Sequence, residues 1–142
     1  MTAKEYLSQA FVIRKMVNAK QSRIKDLCGL QSCLNDMQAS VDPQSVRLSV
    51  GMAGLRRAIL GIVEELVADI KKLLEVQEEI GGVIANMGND DYRAIFYERY
   101  VNFKQWTTIA KDGNYSLRHV YKLRRQGLAE VDRLLRRASR PS

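Results

Sequence analysis

One histidine, His119, and two cysteines, Cys28 and Cys33, are all that this 142-residue chain offers toward a nucleophile–base pair or a soft metal site. The cysteines stand five apart, which neither shares one helix face cleanly nor matches zinc-ligand spacing. They are expected to be packing residues, and no catalytic residue, metal or cofactor is predicted. The chemistry lies instead in the cations. The formal net charge is +7, and nearly all of the excess falls within residues 117–142. There Arg118, Lys122, Arg124, Arg125, Arg133, Arg136, Arg137 and Arg140 stand against Glu130 and Asp132 alone. Clustering of this kind is the electrostatic footprint of a polyanion-binding face. A solvated basic helix end with a frayed tail would have the same composition, so the positions of the charges must decide.

The spacing around them is informative. Gln105 to Lys111 reads as about two helical turns. Asp112-Gly113-Asn114 is turn chemistry, because Gly and Asn both tolerate a left-handed backbone. Ser116 then caps a longer helix running through Leu117, Val120, Tyr121, Leu123, Leu128, Val131 and Leu134-Leu135. A short helix, a tight turn and a longer helix make a helix-turn-helix. Counted from Trp106 as the first position, the motif needs a small residue at the fifth, where Ala110 stands. It needs a left-handed-tolerant residue at the ninth, where Asn114 stands. Ile109, Tyr115, Val120 and Leu123 fill its apolar positions, the fourth, tenth, fifteenth and eighteenth. This leaves Ser116, Leu117, Arg118, His119, Tyr121, Lys122 and Arg125 outside, the side chains that base edges and phosphates require. Arg118, whose planar fork fits a guanine edge, is the leading candidate for base readout. His119 and Lys122 are expected on base or phosphate, and Ser116 with the free amides of the helix start on a phosphate. Gln105 and Thr107 are placed on the DNA backbone, with Arg124 and Arg125 extending the positive face. Tyr121 either touches DNA or packs on Tyr97 or Tyr100. Trp106 belongs to the core, and Arg136, Arg137 and Arg140 to a solvated tail.

The elements that must carry this site read as helical throughout. Only 2 prolines and 9 glycines interrupt a chain whose residues are 46% hydrophobic and 27% charged. No apolar run approaches the roughly 20 residues of a membrane span. The opening residues lack the form of a secretory signal, and a cytoplasmic location with no membrane partner is expected. Thr2 and Glu5 form a capping box. Behind it Tyr6, Ala10, Ile13, Val17, Lys20, Ile24, Leu27, Gln31 and Leu34 alternate at spacings of four and three, a seam interrupted by Lys20 and Gln31. Residues from about Gln38 to Gly54, with Asp42-Pro43, Ser45, Ser49 and Gly51, read as a loop. A second seam follows at Ile59, Val63, Leu66, Ile70, Leu73, Gln77, Ile80, Ile84 and Met87. Ile62, Val67, Leu74, Val76 and Val83 widen it beyond what one partner helix covers. Either the C-terminal unit packs on the surplus or a second subunit does, giving a four-helix homodimer through the N-terminal helices. Gly81-Gly82 marks a bend or a close packing contact. Asn89, followed by Asp90 and Asp91, caps a further helix carrying Tyr92, Ile95, Phe96, Arg99 and Tyr100. The fold predicted is all-α: a long antiparallel, coiled-coil-like helical hairpin over residues 1–88, for dimerisation or partner docking, then a trihelical helix-turn-helix domain over 89–142 with a basic tail.

The runs Tyr97-Glu98-Arg99-Tyr100, Trp106-Thr107-Thr108-Ile109-Ala110 and Tyr115-Ser116-Leu117-Arg118-His119-Val120-Tyr121-Lys122-Leu123 resemble the ArpU-type transcriptional regulators of phages and prophages. The resemblance is strongest over about residues 92–128, and the opening MTAKEYLSQAF resembles one branch of the same proteins. It implies a C-terminal domain similar to the fourth conserved region of bacterial sigma factors, double-stranded promoter DNA as partner, and a surface for host RNA polymerase. One departure stands out: the family has Leu-Gly before its Tyr-Ser, where this chain has Gly113-Asn114. A buried leucine is lost and the left-handed residue becomes Asn, which predicts a looser turn. Two other readings use the same features. A small packaging-terminase-like protein also joins a helix-turn-helix to assembling helices, and a protein-binding inhibitor could reuse the fold without DNA.

Overall fold

The structure, a computed structural model, describes residues 1–38 and 46–139, and every described element is helical. In chain order these are α1 (Ala3–Leu7), α2 (Gln9–Gln38), α3 (Val46–Ala85), α4 (Asp90–Phe96) running into a π-helical turn (Tyr97–Val101), α5 (Trp106–Asp112) and α6 (Leu117–Ser139). The chain divides into two compact units, one of Met1–Ile13 with Leu73–Ser142 and one of Arg14–Lys72. The start of α2 and the end of α3 thus group with the C-terminal elements. Among the described residues no helix is long and apolar enough to cross a membrane.

In the first unit, local caps start the helices as their sequences require. The Thr2 hydroxyl accepts from the Glu5 amide while the Glu5 carboxylate accepts from the Thr2 amide, each at 3.2 Å. The helix so capped is short, since α1 ends at Leu7, with Ser8 as its cap, and α2 begins at Gln9, where the sequence reads as one helix. Asn89 Oδ1 accepts from the Asp91 and Tyr92 amides at 2.8 and 3.3 Å, starting α4. The core joins Ala3, Leu7 and Ala10 to Ile80, Ile84 and Met87 from the end of α3, and to Ile95, Phe96, Tyr100, Trp106, Ile109, Val120, Leu123 and Val131. Phe96, Tyr100 and Trp106 meet edge to face, with centroids 5.4 to 6.3 Å apart, the arrangement that ring quadrupoles favour. Trp106 is thus a core residue.

Two acids on α6 hold distant backbone. Asp132 accepts from the Ala3 amide at 2.8 Å, and Glu130 from the Gly88 amide at 2.6 Å. Each satisfies a donor that its own segment leaves open. The π-helical turn is closed by the Asn102 amide on the Tyr97 carbonyl at 3.1 Å, and its end is tied down by Gln77 Nε2 on the Val101 carbonyl at 3.1 Å. The chain then breaks at Phe103, whose φ is 60°. Lys104 reaches back to form an ion pair with Glu98. That contact, with the Asn102 amide group, holds the Glu98 carboxyl below the usual range. Tyr6 donates to Glu79 at 3.0 Å, and burial together with that carboxylate pushes its phenol up to about 12.

In the second unit the first predicted seam is present: Val17 and Leu27 are buried, and Lys20, Ile24, Gln31 and Leu34 are half-buried. The polar interruption has a partner, because Lys20 Nζ lies 2.6 Å from Asp69 and 3.8 Å from Glu65 of α3. Further along α2, Leu30, Cys33, Leu34 and Met37 share an apolar groove with Gly51 and Leu55, earlier along α3. The expected loop from Gln38 to Gly54 needs correction, since α3 begins at Val46 and carries Ser49, Gly51 and Gly54 as helix. Each helical glycine costs roughly 1 kcal/mol against alanine, a penalty that a helix of this length absorbs. Asp42, Pro43 and Ser45 lie outside the described residues. Cys28 and Cys33 are both exposed, so neither is buried packing, although Cys33 lines the groove.

Glycines separate the two kinds of helix contact. At Gly81 and Gly82 α3 simply continues, and a Cβ would meet nothing within 4 Å, so no close contact exists there. At Gly127 in α6 a Cβ would stand 2.5 Å from Phe96 Cζ. Gly127→Ala should therefore destabilise the protein by about 1–3 kcal/mol through overpacking, against its favourable helix propensity. Gly82→Ala should stabilise it by about 0.5–1 kcal/mol. Urea unfolding of the two variants checks the opposite signs.

Candidate nucleic-acid interface

The turn between α5 and α6 is built by three backbone hydrogen bonds. The Gly113 amide donates to Ile109 at 3.1 Å, Asn114 to Lys111 at 3.3 Å, and Tyr115 to Ala110 at 2.9 Å. The last two are the paired bonds of a Schellman ending, which requires a left-handed residue at the position Asn114 holds. Asn114 is there with φ 56°. This is the residue that the motif's ninth position assigns to the left-handed turn, although Gly113 beside it would tolerate the same backbone. Gly113 keeps φ at −91°, and its missing side chain matters for another reason, because a Cβ there would lie 2.7 Å from the Tyr115 ring. The turn keeps both bonds of that ending without the leucine and glycine that the resembling family has there.

Beyond the turn, the Ser116 hydroxyl accepts from the His119 amide at 3.1 Å, capping α6 as expected. Val120 and Leu123 are buried beneath, at 0% and 6% exposure, and Ile109 and Ala110 close the underside from α5. The opposite face is open. Ser116, Arg118, His119, Lys122 and Arg125 line one shallow concavity of about 290 Å³. Five of the eight residues singled out from sequence thus come together. Tyr121, Gln105 and Thr107 are also exposed, but they do not line that concavity. Tyr121 is 42% exposed. His119 is steadied by Tyr115, with ring centroids 5.5 Å apart. Tyr115 in turn donates to Asp91 at 3.2 Å, and burial together with that carboxylate raises its phenol.

Arg124 departs from the sequence reading. It does not extend the outer face: its guanidinium lies 5.5 Å from the Trp106 ring centroid and its Nε is buried. Arg99 lies over the same ring at 5.6 Å and over Phe11 at 4.6 Å, and donates to the Lys104 carbonyl at 3.0 Å. Burial, with Arg124 nearby, lowers its pKa. Both arginines lie within cation–π distance of the tryptophan, a role that charge counting could not separate from a phosphate contact. Arg136 and Arg137 sit exposed on the last turn of α6, and Arg140 lies outside the described residues. Glu130 and Asp132, counted in the sequence only as charges, are the structural residues that counting missed. Among the described residues, no three His, Cys, Asp or Glu side chains gather as a metal ion would require.

No protein family, curated protein or solved structure matches this chain.

Asn114 carries the turn. Asn114→Gly should change stability by only a few tenths of a kcal/mol, whereas Asn114→Val should cost about 1–2 kcal/mol, because a β-branched residue resists the left-handed well. Thermal unfolding of the pair checks this.

Proposed function

We propose that the chain is a transcriptional regulator that binds double-stranded promoter DNA through α5 and α6, acting as a helix-turn-helix in a sigma-like trihelical domain. The resemblance to phage ArpU-type regulators supports the C-terminal part of this reading; α2 and α3, from their apolar spacing, form an antiparallel hairpin that assembles the protein. The observation that carries it is the concavity on the first turns of α6. Three cationic or titratable side chains and a fourth from the next turn stand around a capping serine, above an apolar underside.

The chemistry follows from the orientation. With Val120 and Leu123 held beneath, Arg118 and Lys122 project from the outer face one turn apart, as residues reading a major groove must. Arg118, nearest the helix start, forms a bidentate pair with a guanine edge. Lys122, a mobile point charge, sits on a phosphate. The Ser116 hydroxyl is engaged by the His119 amide, which orients its remaining lone pair and hydrogen. The exposed acids that would repel a polyanion are absent from this concavity, whose lining holds no Asp or Glu.

Fluorescence anisotropy with duplex DNA tests the assignment. On an unselected duplex, Lys122→Ala should weaken binding uniformly and reduce the slope of log affinity against log salt by about one. On a site enriched by selection from random duplexes, Arg118→Ala should lose about 1–3 kcal/mol of discrimination. Equal affinity of the wild type and the double alanine variant for duplex DNA overturns the reading.

A further inference from the structure

Leu60, Val63, Val67 and Ile70 follow one another along α3 at spacings of three and four. All four are exposed, by 36% at Val63 and Ile70, 58% at Leu60 and 61% at Val67. In the sequence the spacing continues to Leu74. This is not the face that meets α2. Ile59, Ile62, Leu66 and Asp69 are the half-buried residues of the same stretch, and Asp69 is the one paired with Lys20. The helix thus carries two apolar seams side by side, one covered by α2 and one bare. A heptad seam left in water is a packing surface without its partner.

The charges beside the bare seam identify the partner. Glu64 follows Val63 and Lys71 follows Ile70, and one heptad further out on either side stand Arg57 and Glu78. These four flanking positions alternate in sign along α3. Let two copies of α3 pack antiparallel with Val67 of one level with the partner's Ile70. Val63 then lies level with the partner's Leu74, Glu64 falls beside the partner's Lys71, and Arg57 beside the partner's Glu78. The two-fold axis repeats both ion pairs. In a parallel pair the same charges would face positions 59, 66 and 73 of the other copy, which are Ile and Leu and offer no counter-charge. The surface is complementary to itself in one orientation only, as an isologous interface requires.

We propose that the bare seam of α3 is a homodimer interface, in which α3 packs antiparallel on α3 of a second copy. Each α3 is already backed by α2, so the pairing orders no new helix and completes a four-helix arrangement. The seam shares no residue with the start of α6, so this inference and the DNA reading fail separately.

Sedimentation velocity of the full chain between about 1 and 100 µM tests it, in the range where a short coiled-coil seam associates. The wild type should reach twice the chain mass of 16.2 kDa. Val67→Lys puts a charge at the centre of the seam and should weaken the dimer by at least about 100-fold. Because Val67 is exposed in a single copy, its far-ultraviolet circular dichroism should stay that of the wild type. Glu64→Lys should weaken the dimer by about 3- to 10-fold, and adding Lys71→Glu should restore it to within about 2-fold. A wild type monomeric at the highest concentration, a ring of many copies, a dimer indifferent to Val67→Lys, or a double reversal no tighter than Glu64→Lys alone overturns the proposal.

Discussion

Phe96 stands in the space that a side chain at position 127 would need, and this close approach of α4 to α6 governs the C-terminal elements. With the ring seated against Gly127, Val120 and Val131 are carried into the core and reach zero exposure. Fully burying side chains of that size stabilises by roughly 1.5–3 kcal/mol each, more than an exposed charge gains from any surface contact. The direction in which Arg118, His119 and Lys122 point is therefore decided by what lies on the other side of their helix. Their outward display is a consequence of the packing beneath them.

The same constraint explains how a strongly basic helix stays docked. The two acids of α6 are taken up by distant backbone, Asp132 accepting from the Ala3 amide and Glu130 from the Gly88 amide, and Arg124 lies against Trp106. Positive charge on the remaining face then has few negative neighbours on its own helix. The unevenness visible in the raw charge count becomes, in three dimensions, a cationic concavity without acids at the start of the helix.

What was legible in the sequence is what depends on neighbours a few residues away. Thr2, Asn89 and Ser116 cap because their side chains reach amides two or three positions on, and Asn114 turns left because Asn tolerates that well. Apolar spacing likewise located the underside of α6 and the covered seam of α2. Readings failed where distant contacts decide. The start of α3 is helical through Ser49, Gly51 and Gly54 although each residue by itself disfavours it, because a long helix is stabilised as a whole. The docking of the Ala3 amide on Asp132 spans 129 positions and leaves no periodic trace. The fate of Arg124 depended on where Trp106 lay, which spacing alone could not give. Of the proposed interface, the residues on the first two turns of α6 were readable and converge. Tyr121, on the same turns, and Gln105 and Thr107, at the start of α5, are exposed but stand outside the concavity, because spacing says which positions face out and not which of them converge.

The polar pair between the two long helices bears on which face of α3 is left bare. An apolar seam can slide by a heptad with little loss, since one Leu or Ile replaces another. Lys20 and Asp69 remove that freedom. A slip would part them and leave each charge half-buried against apolar neighbours, where an uncompensated ion is costly. The contact also gives the Lys20 ammonium a pKa above its ordinary value, the Asp69 hydrogen bond outweighing partial desolvation. Fixing Asp69 toward α2 turns Ile62 and Leu66 the same way, and the helical repeat then leaves Leu60, Val63, Val67 and Ile70 facing out. The charged contact of Lys20 in a mostly apolar seam thus specifies, by exclusion, which surface α3 presents.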